Sequence, residues 1–123
     1  EQWKSRFLTF LQSVDLVIEG CQTFTEQGLF ASQQEVDARH YHFSEKEIKQ
    51  SIRLARASAP NAELVLVGGA GLRFLNIIEG LEQEFGVPVV SADVALHWAT
   101  AKALNIEITD KHLGRLLRSI KPS

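Results

Sequence analysis

Two kinds of apolar pattern occur in turn along the chain. In one, apolar residues have helical spacing, and in the other they form short continuous runs. Residues 3–14 carry the helical spacing and predict an amphipathic helix. Residues 21–43 have no clean period, so we expect a loop with short helical pieces there. Runs rich in β-branched residues are typical of buried parallel strands, and they occur at residues 15–19, 62–67 and 87–90.

Local signals predict the ends of the remaining helices. Ser44-Glu45-Lys46-Glu47 has the form of a capping box and predicts a helix that ends near Ala59-Pro60. The inward-facing residues of that helix are predicted to be Ile48, Ile52, Leu54 and Ala55. Three further helices are expected: one from about Leu72 to Phe85 with a stop at Gly86, one capped by residues 91–93 that runs to about Leu104, and one capped by Thr109 or Asp110.

Helices that alternate with strands in this order predict an α/β fold, in which helices flank a small parallel sheet. The 123 residues fit a single domain, 1–123, with no internal repeat. In such sheets, ligands bind beyond the carboxyl ends of the strands. The loops that follow Gly20, Val67 and Val90 are therefore expected to build any site.

The composition of the chain argues against several classes of binding partner and against a membrane span. The formal net charge of −2 provides no positive field for nucleic acid or an anionic membrane surface. No apolar run approaches the roughly 20 residues that span a bilayer. The one cysteine, Cys21, excludes an internal disulfide framework and favours a reducing, cytoplasmic location.

The stretch "VLVGGAGLRF" at residues 65–74 is the least ordinary part of the sequence. Glycines between a strand and a helix let the backbone turn tightly, and they let a ligand approach the amide groups. One interpretation is therefore an anion-binding loop at Gly68–Gly71. The other is a tight turn with nothing bound. As a dinucleotide fingerprint the stretch is weak, because a third glycine is missing.

The span from Leu64 to Leu104 resembles the aspartate/glutamate racemase superfamily, and within it the branch of maleate cis-trans isomerases and arylmalonate decarboxylases. In that family a strand is followed by Ser-Cys-Thr-x-Leu-Arg-Thr, a helix with an acidic middle, Gly-x-Pro-Val-Val-Ser-Ser and a helix with a Trp. The matching residues here are Leu72-Arg73, "FLNIIEGLEQEFG", Pro88 to Ser91, Trp98 and the ending "LGRLLRSI".

The resemblance covers nearly the whole chain but only the C-terminal half of a family member. It implies a flavodoxin-like half-domain of a protein built from two similar halves, with the active site between them. It further implies chemistry without metal or other cofactor, in which a loop thiolate acts on a small carboxylate. Because the chain has no methionine and opens with a helix rather than a strand, we expect it to be part of a longer protein.

The chain departs from the family at the reacting position. Counting back from Leu72-Arg73, the family's cysteine falls on Gly69 and its threonines fall on Ala70 and Phe74. No catalytic residue is therefore assigned within this chain, and no metal ligand. The residues that the resemblance assigns to carboxylate binding are Gly68, Gly69, Ala70, Gly71, Arg73 and Ser91. Arg73 is equally consistent with a structural ion pair, and Ser91 with a helix cap.

Two functions stay open from the sequence. The first is a cofactor-independent isomerase, decarboxylase or racemase whose nucleophile comes from outside this chain. The second is a non-catalytic domain that binds carboxylates or associates with itself. Either predicts a homo-oligomer or pairing with an N-terminal half, because one half of a two-half enzyme leaves its facing surface bare.

The other chemically capable residues have simpler interpretations. Cys21 is expected to be a buried, inert thiol. His40 and His42 could share a strand face and suggest a metal, but no third ligand lies nearby, so a surface or packing role is expected. His97 and Trp98 are expected in the core or an interface, and His112 in solvent.

Overall fold

The computed structural model describes residues 2–69 and 72–121. Helices and strands alternate through its second half, as the sequence predicts, and the first half is helical. The elements are α1 (Gln2–Ser13), α2 (Gln33–Ala38), α3 (Glu45–Ser58), β1 (Val65–Val67), α4 (Ile78–Phe85), β2 (Val89–Ser91), α5 (Ala92–Ala103) and α6 (Arg115–Arg118).

Strands β1 and β2 pair in parallel, and within the described residues they form a two-stranded sheet. In the register, Val65 is opposite Val89 and Val67 is opposite Ser91. Helix α4 connects the two strands. The predicted α/β class, a small parallel sheet flanked by helices, is confirmed. Because the register aligns the last residues of both strands, the loops that follow them leave from the same edge of the sheet.

Helix α3 begins as its sequence predicts. The Ser44 hydroxyl accepts a hydrogen bond from the Glu47 N–H, and the Glu47 carboxylate accepts one from the Ser44 N–H. The bond from the Ser44 backbone holds the pKa of Glu47 below its usual value, with smaller contributions from the Ser44 hydroxyl and from Arg39. Ile48 and Ile52 are buried as predicted, but Leu54 is exposed.

The core forms between α4, the sheet and the helices on either side. Ile78 and Leu81 of α4 are almost fully buried, as are Val89 of β2 and Val94 of α5. Leu117 of α6 and Ile52 of α3 pack into the same cluster. The buried residues of the small sheet therefore pack against α4 and α5.

A buried carboxylate fixes the amino end of β2. Glu82 of α4 is only 3% exposed, and its oxygens accept hydrogen bonds from the Val89 N–H at 3.1 Å and the Arg115 N–H at 3.0 Å. Both donors are backbone groups, so one side chain joins α4 to the start of β2 and the start of α6. Gly114, which precedes α6, has a φ of 89°, and a side chain there would meet Ile78.

The predicted strand at residues 15–19 is wrong. The segment is irregular, Asp15 has a positive φ, and Val17 is 84% exposed. A β-branched run becomes a strand only where it pairs with a neighbouring strand through backbone hydrogen bonds. Among the described residues, no strand pairs with this segment.

Two helix starts also differ from the prediction. Helix α4 begins at Ile78 rather than near Leu72. Residues 68–73 offer no Ser, Thr, Asp or Asn to cap an earlier start, and Phe74 and Ile77 are buried before the helix begins. Helix α6 begins at Arg115, so neither Thr109 nor Asp110 caps it. Asp110 instead accepts a hydrogen bond from the His112 N–H.

The remaining expectations about single elements are mostly confirmed. Helix α1 lies within one residue of its predicted ends, and residues 21–43 form turns around the short helix α2. Gly86 ends α4 in the left-handed conformation. Cys21 is half-buried rather than buried. None of the helices in the described part of the chain is long and apolar enough to cross a membrane.

Candidate functional site

A cleft of about 270 Å³ opens at the edge where β1 and β2 end. Its wall is formed by the segment that follows β1 and by the first turns of α5. The residues that line it are Leu72 to Asn76, Ser91, Asp93, Val94 and His97. The cleft thus lies at the position where ligands bind in parallel α/β sheets.

Arg73 and Ser91 both line this cleft, although 18 positions separate them in the chain. Arg73 is exposed, and its guanidinium makes no hydrogen bond or ion pair with any residue that the structure describes. A guanidinium without a protein partner at a cleft can pair with a carboxylate in two parallel hydrogen bonds.

Ser91 is the N-cap of α5. Its hydroxyl accepts a hydrogen bond from the Val94 N–H at 3.1 Å, and the residue is 3% exposed. The cap interpretation of Ser91 is therefore confirmed. The start of α5 carries the positive end of the helix dipole, so it favours an anion at the mouth of this cleft.

The glycine loop differs from its predicted setting. Gly68 and Gly69 follow β1, but α4 begins too late for its first amide groups to face them. The helix start at this edge is that of α5. Ala70 and Gly71 lie outside the described residues, so their predicted part in an anion-binding loop is untested.

Gly69 has a backbone conformation that suits glycine. Its φ is 101°, and a side chain built there would have open space around it. A residue with a Cβ adopts this φ only with strain. The glycine at the position to which the resemblance assigns the family's cysteine therefore suits its local backbone.

Sequence reasoning did not assign Asn76, Asp93 and His97 to the cleft. Asp93 and His97 are four residues apart on α5, directly after the Ser91 cap, so they share one helix face. The Nδ1 atom of His97 lies 2.7 Å from the backbone carbonyl oxygen of Asp93. This four-residue spacing was visible in the sequence, but His97 was expected in the core or an interface, whereas it is exposed.

The other histidines lie elsewhere. His40 and His42 are exposed, and no group of three potential metal ligands occurs among the described residues. His112 is exposed as predicted and contacts the Glu79 carboxylate at 2.8 Å. Trp98 is half-buried, and its indole N–H donates to the Ser119 hydroxyl.

A match to a family model along most of the chain identifies its family. The family model described as arylmalonate decarboxylase matches residues 6–117. The chain belongs to the arylmalonate decarboxylase family. Its predicted place near the isomerases and decarboxylases of the aspartate/glutamate racemase superfamily is thereby confirmed.

A solved structure supports the fold of this arylmalonate decarboxylase family member. A structure titled as the crystal structure of arylmalonate decarboxylase superposes with a TM-score of 0.78 over 95% of the chain, at 23% identity. The chain covers 48% of that protein, so it spans about half the length of its solved relative. No curated protein matches the chain in sequence at a significant level.

Proposed function

We propose that this chain forms the carboxylate-binding edge of a cofactor-independent decarboxylase-, isomerase- or racemase-type protein. Gly68–Gly71, Arg73 and Ser91 would hold a small carboxylate or dicarboxylate. The chain would not supply the nucleophile, because Gly69 stands at the position of the family's cysteine.

This proposal depends on one observation: Arg73 and Ser91 line the same cleft at the carboxyl edge of the sheet. A guanidinium, a capped helix start and a hydroxyl all interact favourably with a carboxylate. The cleft volume of about 270 Å³ is below the range of clefts that enclose drug-sized ligands, which favours a small acid.

The chemical step requires a group that glycine cannot provide. Cofactor-free removal of carbon dioxide, or of a proton next to a carboxylate, needs a general acid or base close to the reacting carbon. In a protein about twice as long, such as the solved relative, a second half could present that group across the cleft. Turnover is therefore proposed for the longer assembly and not for this chain alone.

A non-catalytic domain that binds carboxylates or associates with itself is the second candidate. The glycine at position 69 favours it, and so does a set of exposed apolar side chains. These include Trp3, Phe10, Val17, Leu96 and Leu104. Large exposed apolar surfaces commonly mark an interface with another chain or domain.

Binding of malonate, followed by calorimetry and by NMR shifts of the amide groups, tests the proposal. We expect Arg73→Ala to weaken malonate binding by roughly tenfold or more, since hydrogen bonds to charged groups contribute about 1.5–3 kcal/mol. Neutral malonamide should bind poorly. Because the Arg73 guanidinium has no described protein partner, its removal should change the free energy of unfolding by less than about 0.5 kcal/mol.

Arg115→Ala is the matched control. Arg115 is also exposed, but it lies on α6 and lines neither side of the cleft. If malonate does not bind, or if the two arginine variants bind it equally well, the carboxylate-binding proposal is wrong.

Release of carbon dioxide from phenylmalonate, measured on this chain together with the proposed second half, separates the two candidates. Turnover without added metal or cofactor would support the decarboxylase. Malonate affinity without turnover of phenylmalonate, maleate or aspartate would support the binding domain.

A further inference from the structure

His97 is held in one tautomer at the cleft. Its Nδ1 lies 2.7 Å from the Asp93 backbone oxygen, and a carbonyl oxygen can only accept a hydrogen bond. Nδ1 therefore carries a proton, and in the neutral ring Nε2 has the lone pair. No described residue hydrogen-bonds to Nε2, so this nitrogen is available to take up a proton or to contact a ligand.

The formal charge of the cleft depends on this ring. Arg73 contributes one positive charge and Asp93 one negative charge, and these two cancel. Glu45 of α3 accepts a hydrogen bond from the Asn76 side chain but does not line the cleft, and its negative charge is paired with Lys49. The lining residues therefore sum to zero with a neutral imidazole, and to plus one with an imidazolium.

We propose that His97 is the second cationic group of this carboxylate site, and that its protonation makes carboxylate binding dependent on pH. The inference rests on the proposed function, because it assumes that Arg73 takes one carboxylate in this cleft. Histidine is the side chain that ordinarily changes charge between about pH 5 and pH 8. An imidazolium in the same cleft as Arg73 favours a doubly ionised ligand over a singly ionised one.

The test measures oxalate affinity by calorimetry between about pH 5 and pH 8, the range over which histidine charge changes. Oxalate is chosen because it stays doubly ionised through most of that range. We expect oxalate affinity to fall on the order of fivefold as the pH rises, consistent with one partly exposed charge pair. His97→Gln should remove this dependence and bind with the weaker affinity throughout.

His112→Gln is the matched control, since His112 is also exposed but contacts Glu79 away from this cleft. It should keep the pH dependence. A second measurement follows the imidazole NMR signals of the unsubstituted protein. At about pH 5, bound oxalate should shift the ring signals of His97 and leave those of His112 in place.

The outcomes separate this inference from the proposed function. Suppose that oxalate binds and Arg73→Ala weakens this binding, but His97→Gln keeps the full pH dependence or the His97 ring signals do not shift. The role of His97 is then wrong, and the carboxylate site stands. If oxalate fails to bind at about pH 5, where imidazoles are protonated, both ideas are overturned.

Discussion

The two ends of strand β2 are built in opposite ways. At its amino end, the buried Glu82 carboxylate accepts hydrogen bonds from backbone N–H groups of β2 and α6, and no space is left beside Gly114. At its carboxyl end, Ser91 opens onto a cleft in which the Arg73 guanidinium contacts no charged partner that the structure describes. The first end stabilises the fold, while the second has charge available for a ligand.

The polar side chains at the two ends of β2 differ in whether the protein itself satisfies their hydrogen bonds. Glu82 is satisfied by backbone donors, so its removal would leave those donors without an acceptor. Arg73 and His97 are exposed, so their removal should cost binding and little stability. Variants at the two ends should therefore have separable effects.

The largest effect is expected from Gly114→Ala at the closed end. The new methyl group would meet Ile78, and alanine would have to adopt a φ of 89°. Overpacking and backbone strain together should lower the free energy of unfolding by about 4 kcal/mol. Urea denaturation followed by circular dichroism measures it.

Gly80→Ala is the control for that variant. Gly80 lies within α4, where an added methyl group meets nothing within 4 Å. Alanine there should raise stability by about 0.5–1 kcal/mol. Equal effects of the two alanines would show that the closed end is not tightly packed.

Glu82→Ala should have the next largest effect. It leaves the Val89 and Arg115 N–H groups without their acceptor and should cost about 2–3 kcal/mol of unfolding free energy. Amide hydrogen exchange at Val89 and Arg115 should become faster. Glu82→Gln keeps one carbonyl oxygen as an acceptor and should lose less. If Gln and Ala are equally damaging, the hydrogen bonds are not what holds this end together.

The smallest effect is expected from Ser91→Ala at the open end. Loss of the α5 cap should lower stability by about 1 kcal/mol. Malonate affinity should also fall if the hydroxyl contacts the ligand. Ser91→Gly separates the two roles, because glycine is a tolerable N-cap and costs only a few tenths of a kcal/mol. Unchanged malonate affinity in Ser91→Gly would restrict Ser91 to the cap.

The parts of the fold that could be predicted depend on neighbours in sequence. The Ser44 capping box, the stop at Gly86 and the Ser91 cap each involve residues within about four positions, and all three are confirmed. The family motif also placed Arg73 and Ser91 at one edge, because the carboxyl ends of parallel strands meet there.

The parts that could not be predicted depend on contacts between distant residues. Residues 15–19 have the composition of a strand, but a strand needs a partner, and the sequence does not show that one is lacking here. His97 was expected in the core or an interface, yet its place in the cleft depends on the distant segment that holds Arg73.

The sequence by itself determined the α/β class, the caps at Ser44 and Ser91 and the helix stop at Gly86, since these depend on residue type and short-range order. Only the tertiary structure decided where α4 begins, which backbone groups Glu82 binds, and that Asp93 and His97 share a cleft with Arg73. The physical reason is that burial and hydrogen-bond satisfaction are settled between elements far apart in the chain, and no local pattern records them.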